Sequence, residues 1–259
     1  MKVTTTVGRA AGALVAGALI GNVTPQMPAS AGTDGTATAR GSIAAAKALP
    51  ESAKGTVRTT GKKLNVRAAP GTQYTSFKKL GNSTKVTILC QTEGSKVKGP
   101  FGTSTIWDML SYGGFVSDAY IKTGSDGYVT DKCDRSPQPK KANPRSADQA
   151  ISWQFSRLGS VKGEQWCLRF QAQSFGYVRA GIPTAEEAGD QAELRQGVPP
   201  RGALVWYHNG GTTGHIVLSL GEGLVIGTSV PDRVGVGPYK YGKYEYRGWS
   251  TPDFPEGVR

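Results

Sequence analysis

The apolar rhythm of this chain changes character once, near Pro144, and that change most limits what it can fold into. Before it, apolar residues recur every second position in short runs broken by Gly and Pro. Leu64-Asn65-Val66-Arg67 alternates, and Ala68-Ala69-Pro70-Gly71 then supplies a turn. Lys85-Val86-Thr87-Ile88-Leu89-Cys90 and Thr105-Ile106-Trp107-Asp108-Met109-Leu110 are β-prone runs, with Gly94, Gly99 and Gly102 punctuating the stretch between them. Gly114-Phe115-Val116-Ser117 and Ala119-Tyr120-Ile121 close the series. Short strands at this spacing predict a small β-barrel.

After Pro144 the spacing turns helical. Ser146-Ala147-Asp148-Gln149 is a capping-box sequence. Ala147, Ile151, Phe155 and Leu158 follow at helical intervals until Gly159. A second helix is expected from about 165 to 180, with Leu168, Ala172 and Phe175 as its apolar stripe and Gly181 and Pro183 as its stop. Thr184-Ala185-Glu186-Glu187 opens a short third. Strands are expected after Pro199-Pro200-Arg201-Gly202, at 203–207, 215–220 and 224–229, with an aromatic-rich run from Tyr239 to Trp249. Helices first and antiparallel strands after predict an α+β domain. The fold class expected is therefore multidomain: an all-β barrel, then an α+β domain. No internal repeat is visible.

The flanking segments carry no such periodicity. Lys2 and Arg9 precede an apolar, acid-free run from Ala10 to Val23, and Ala29-Ser30-Ala31 has small-x-small spacing. Residues 1–31 read as a secretory signal peptide, too short and too Gly/Ala-rich for a good membrane span. No stable membrane insertion is expected, and the mature chain is expected to be secreted, extracellular or wall-associated. No cysteine precedes Cys90 to carry a lipid. Residues 32–55 are rich in Ala, Thr, Ser and Gly and read as a flexible spacer. Residues 134–143, with Pro137, Pro139, Lys140 and Lys141, read as a linker.

Export changes the meaning of the +12 formal charge. Nucleic acid becomes an unsuitable partner, whereas the phosphate- and carboxylate-rich polymers of a bacterial wall suit a diffuse positive field. Export also makes the three cysteines informative. Oxidising conditions pair exposed cysteines, and an odd count leaves one over. Cys90 and Cys133 fall in the middle and at the end of the predicted barrel. A bridge there would close a loop of 133 − 90 = 43 residues. Cys167 is then left as a thiol.

Cys167 lies in Gly163-Glu164-Gln165-Trp166-Cys167-Leu168-Arg169-Phe170, at the predicted first turn of the second helix. Unpaired N–H groups and the helix dipole favour a thiolate there. Helix position alone does not separate a nucleophile from a small buried core residue. Of only two histidines, His215 opens a predicted strand straight after Gly214, while His208 beside Asn209-Gly210-Gly211 reads as an exposed turn residue. Two histidines and three cysteines are too few for a convincing zinc site, and no cofactor or metal is expected. The interleaved Tyr and Lys of 239–246 could line a groove; a half-exposed strand is the plainer reading.

Two resemblances attach to these motifs. The ordered segments "LNVRAAPGTQYTSFKKLGNSTKVTILC", "GPFGTSTIWDML" and "GGFVSDAYIKTG" make residues 56–133 similar to a bacterial Src-homology-3-like domain, which implies binding to wall polymers. Residues 144–259 resemble the NlpC-type papain-like cysteine peptidases and, more distantly, the CHAP amidases. The motifs are a helix-borne Cys, then Pro-Pro-Arg-Gly-Ala-Leu-Val-Trp, then Gly-His-Ile-Val-Leu-Ser-Leu-Gly-Glu-Gly. That resemblance implies Cys167 as nucleophile and His215 as base in hydrolysis of a peptidoglycan amide. Leu168 stands where the NlpC pattern has Ser, and Ala203 where Asp is common. The family's third catalytic position, a His, Asn, Gln or Glu, falls in Ile226-Gly227-Thr228-Ser229, so the hydroxyl of Thr228 or Ser229 is the candidate orienting group. Gln154 or Gln165 is the candidate second oxyanion donor. The expected function is a wall hydrolase, endopeptidase or amidase, held to its substrate by the barrel and acting as a monomer. A catalytically weak wall-binding protein is the alternative.

Overall fold

A computed structural model describes residues 51–259 except 164 and 165. The expected signal peptide, most of the spacer and the candidate donor Gln165 lie outside the described residues.

The first half is a curled antiparallel sheet of seven strands: β1 (Ala53–Val57), β2 (Leu64–Arg67), β3 (Ser76–Leu80), β4 (Lys85–Gly99), β5 (Gly102–Leu110), β6 (Phe115–Ser117) and β7 (Ile121–Lys122). Their order in the sheet is β3-β2-β6-β5-β4-β1-β7. Alternation puts Val57, Leu64, Val66, Val86, Ile88 and Leu110 inside. β1 starts three residues before the expected boundary at 56, because Ala53–Thr56 pairs with β4. Gly55 is buried there, and a Cβ on it would stand 2.4 Å from Ile121 Cγ2. β4 continues past Gly94, where a break was expected, although its register with β5 shifts between Glu93 and Val97. The missing side chain lets the Pro70 carbonyl and the Trp107 indole close over that point. β3 has no apolar alternation of its own, with burial only at Leu80, and exists through its pairing with β2. Residues 118–120 form a single 3₁₀ turn rather than strand.

Cys90 and Cys133 are joined by a disulfide. Buried Gln91 prepares the join. Its side-chain oxygen accepts from the N–H groups of Val129 and Thr130, and its backbone bonds Asp131 and Cys133. The chain after β7 is thereby fixed alongside β4.

The second half has three helices, α1 (Ala147–Phe155), α2 (Cys167–Ser174) and α3 (Ala185–Gln191), and five strands. These are β8 (Leu204–His208), β9 (His215–Gly221), β10 (Leu224–Gly227), β11 (Gly235–Pro238) and β12 (Glu245–Ser250), in the order β11-β10-β9-β8-β12. Both halves of the capping box at Ser146 form: its hydroxyl accepts from the Gln149 N–H, and Gln149 reaches back to the Ser146 N–H. α2 ends six residues before the expected 180. Gly176 turns left-handed at φ +96°, and the chain leaves to bridge Arg179 with Val258. Among the described residues no helix is long and apolar enough to cross a membrane.

The described residues form one compact unit, and one apolar core spans both halves. Ala68, Trp107, Met109 and Phe115 of the first half join Ile151, Phe155, Leu218 and Leu220 of the second. Phe77 stacks on Phe155 with centroids 4.2 Å apart. Arg201 is the polar centre of this junction, only 2% exposed. It contacts Asp148 on α1 at 3.0 Å and donates to the carbonyls of Ala68 at 2.9 Å and Leu220 at 3.3 Å. The expected linker is held in place as well: Asp134 and Ser136 bond the Arg201 backbone, and Asn143 donates to Pro252.

Candidate active site

Gly163, at φ +96°, turns the chain into α2, and its carbonyl accepts from the Trp166 N–H at 3.0 Å. Trp166 is the N-cap and makes no side-chain cap, so Cys167 becomes the first helical residue. It keeps its thiol and is half-buried. First-turn N–H groups of a helix have no carbonyl to bond within that helix. An oxygen brought close to the thiol therefore meets the positive end of α2.

His215 reaches the same place from the sheet. Gly214 sits at φ +63°, where a Cβ would stand 2.5 Å from the Glu186 nitrogen. Only glycine fits so close to the start of α3, and Glu186 donates its N–H to Thr213 to hold the contact. His215 follows at once as the first residue of β9, paired with Tyr207 on β8, and is 4% exposed. Burial, with Lys243 nearby, pushes its pKa down to about 4; a bond to the Thr228 backbone opposes this. Near neutral pH the ring is uncharged. Its Nε2 is buried and has no hydrogen-bond partner among the described residues, so Nδ1 is the nitrogen bonded to Thr228.

Cys167 and His215 line one cleft of roughly 1120 Å³. Among the described residues, Arg169, Arg179 and Lys243 stand around it with one acid, Asp232. Tyr244 stacks on the His215 ring, centroids 4.5 Å apart, and Tyr207 and Tyr241 enclose it further at 6.0 and 6.5 Å.

Several expected roles fall differently. Thr228 meets His215 through its backbone; its hydroxyl is buried and bonds no described residue. The bond to the imidazole thus does not depend on the Thr228 side chain. Ser229 lines the cleft. Gln154 is not in the cleft. It is fully buried between α1 and α2, donating to Gln171 at 2.7 Å and Ser174 at 3.2 Å. His208 is the exposed end of β8 rather than a turn, and its Nδ1 lies 2.7 Å from Glu186. The 239–244 stretch is no strand: β12 starts at Glu245, and the tyrosines fold back over Tyr207 and His215. Sequence reading missed Tyr244 and Lys243 as neighbours of the imidazole. The Tyr–Lys interleaving was visible, but nothing in it specified a fold-back.

Two proteins of Bacillus subtilis share part of this sequence. Uncharacterized proteins YraJ and YraI are 39% and 41% identical to it over 83 residues, 29% of this chain and 70% of each of them. The chain belongs to their family. No protein-family model matches it. Among solved structures it is similar to NlpC2 and NlpC1 of Trichomonas vaginalis, at 14% and 15% identity and a TM-score of 0.32 for both. Those matches cover 80% and 77% of this chain and 74% and 69% of theirs. An NlpC/P60 family protein of Bacillus cereus ATCC 10987 is similar at 15% identity and TM-score 0.33, covering 79% of this chain and 64% of its own.

Proposed function

We propose that this protein is a cysteine hydrolase of peptidoglycan amide bonds, with Cys167 as nucleophile and His215 as general base. One observation carries the reading: a helix-start thiol and a buried, neutral imidazole with an unpartnered Nε2 open onto one cleft. Nδ1 is already engaged with the Thr228 backbone, so Nε2 is the nitrogen able to take a proton.

The steps follow from those atoms. An imidazole this hard to protonate does not hold the thiol proton at rest. Nε2 takes it as the sulfur–carbon bond forms at the amide carbonyl. Negative charge moves to the carbonyl oxygen, which the N–H groups at the start of α2 stabilise. His215 then returns the proton to the departing amine as the C–N bond breaks. Water, activated by the same nitrogen, hydrolyses the thioester and restores the thiol. The desolvated ring gives up its proton readily, which favours the return step. No step calls on a metal.

The proposal includes a secreted chain and a wall-binding role for the seven-stranded half, consistent with the +12 charge. The resemblances of both halves supply the substrate class. One feature favours a weaker catalyst: the base is oriented by a neutral carbonyl rather than a carboxylate. Purified protein incubated with sacculi tests the proposal, read as loss of turbidity and as new amino groups. Release by the parent and none by Cys167→Ala is the expected outcome. Equal release by both refutes it. Binding without release by the parent would leave a wall-binding protein.

A further inference from the structure

Trp166 is an indole with no structural task. Trp107 and Trp206 are buried and hydrogen-bonded through Nε1, at 2.9 Å each, to Ser95 and Ser250. Trp249 donates to Gln196 and carries Arg195 beside its ring. Trp153 lies under the Arg157 guanidinium at 3.5 Å and against Phe170. Trp166 is 63% exposed. Among the described residues no ring, cation or hydrogen-bond acceptor engages its indole. Its backbone is nonetheless fixed at both ends, by the bond to Gly163 and by the Phe170 N–H donating to its carbonyl at 2.8 Å. A large apolar plane thus stands in water on a fixed backbone one residue before Cys167, a burden that packing does not explain.

Its surroundings say what would cover it. Trp166 and Arg169 form a sill between the catalytic cleft and a side groove of roughly 410 Å³. Arg157, Lys162 and Arg169 line that groove, with no acidic residue among its described walls. A flat π-face attracts slightly positive C–H groups, and cations attract carboxylates. A glycan strand bearing peptides fits both: its sugar rings carry C–H groups on their faces, and the stem peptides attached along it carry carboxylates. We propose that Trp166 is a sugar-stacking platform and that the groove behind it holds the glycan strand of peptidoglycan while the attached peptide lies across Cys167. This deepens the hydrolase reading and rests on it for the identity of the polymer.

The test is a binding titration, so it does not depend on catalysis. Full-length protein carrying Cys167→Ala is titrated with peptide-free glycan strands, whose muramic acid residues each carry a carboxylate, and with chitin oligosaccharides, which lack it. Intrinsic tryptophan fluorescence and calorimetry report binding, and circular dichroism checks that each variant is folded. Adding Trp166→Ala is expected to weaken strand binding about tenfold or more, and Trp166→Phe to restore most of it. Arg169→Ala is expected to weaken binding of the strands more than of chitin. The proposal is overturned by unchanged binding in Trp166→Ala or by no measurable binding of strands. Tighter binding of a single-stranded oligonucleotide, lost with the same substitution, also overturns it, since stacking and cations suit that polymer too. If sacculi are cleaved while strands do not bind, the hydrolase stands and the platform falls. If strands bind through Trp166 while sacculi are not cleaved, the reverse holds.

Discussion

Replacing Arg201 with alanine should destabilise both halves of the molecule together. The guanidinium is almost fully buried and touches Asp148 of α1, the Ala68 carbonyl of the first half and the Leu220 carbonyl of β9. It also lies 4.8 Å from the Phe115 ring centre. Removing one partner from a buried ion pair typically costs about 3–5 kcal/mol. Arg135 remains at 3.0 Å from Asp148 and recovers part of that. Two carbonyls lose their donor, at about 1–3 kcal/mol each where water cannot reach them. With Arg135 offsetting part of the first loss and water entering the vacated space offsetting most of the second, the balance is about 4 kcal/mol, a large share of an ordinary domain's stability. For a chain of this size that lowers Tm by about 8–16 °C. Urea unfolding, followed by tryptophan fluorescence and far-ultraviolet circular dichroism, measures it. Because one core spans the halves, parent and variant should each unfold in a single transition with both probes coincident. Asp148→Ala combined with Arg201→Ala should be less harmful than the sum of the two. A loss below about 1 kcal/mol, or a parent that melts in two separate steps, would refute the reasoning that Arg201 joins the halves.

Five further outcomes follow from the site and the core. Cys167→Ala and His215→Ala should each remove nearly all hydrolysis, with the double variant little worse, because the pair acts as a unit; release from sacculi measures this. The acid limb of kcat/KM should lie near pH 4 rather than 6.5, since burial holds His215 low, and Lys243→Ala should shift that limb upward. His215 has a depressed folded pKa, so its neutral form favours folding above about pH 6.5 and stability falls as pH drops toward 4, by on the order of 3 kcal/mol; His215→Gln should flatten that slope in urea titrations. Asp108 is the opposite case. Burial and then Asp118 raise its carboxyl to about 8, so the protonated form favours folding below about pH 4 and that contribution is lost as pH rises through 8. Asp108→Asn keeps an acceptor for Gln91, 2.6 Å away, and should raise stability at pH 8 more than at pH 4. Reduction of Cys90–Cys133 opens a loop of 43 residues and should lower stability by about 3–4 kcal/mol, read from unfolding with and without reductant.

Much of the architecture is legible in local chemistry. Period-two alternation marks β2 and the start of β4, because each must present one face to a core; β5 and β6 are marked instead by their β-prone apolar runs. Ser146 and Gln149 mark the start of α1 because each satisfies the other's backbone. The positions of the two candidate catalytic residues, at a helix start and a strand start, were also visible, since Gly163 and Gly214 flank them as turn-makers. The pairing of Cys90 with Cys133 was expected from an odd count, an expected oxidising compartment and the place of both cysteines in one predicted barrel.

Long-range packing decided the rest. The length of β4 depended on whether Pro70 and Trp107 could close over Gly94, and the extra residues of β1 on a partner more than thirty residues away. Gln154 looked like a cleft donor until α2 was placed, whereupon its amide met Gln171 and Ser174. Thr228 was chosen for a hydroxyl and meets the imidazole through its backbone, an atom every residue carries and no motif can signal. The tyrosines of 239–244 acquire their role only by folding back over His215, which sets the ring's burial and hence its low proton affinity. Local sequence therefore specified most of the elements and the candidate reactive groups. Tertiary structure alone set the electrostatic state of those groups and joined two apparent domains into one core, because burial and charge proximity depend on residues far apart in the chain.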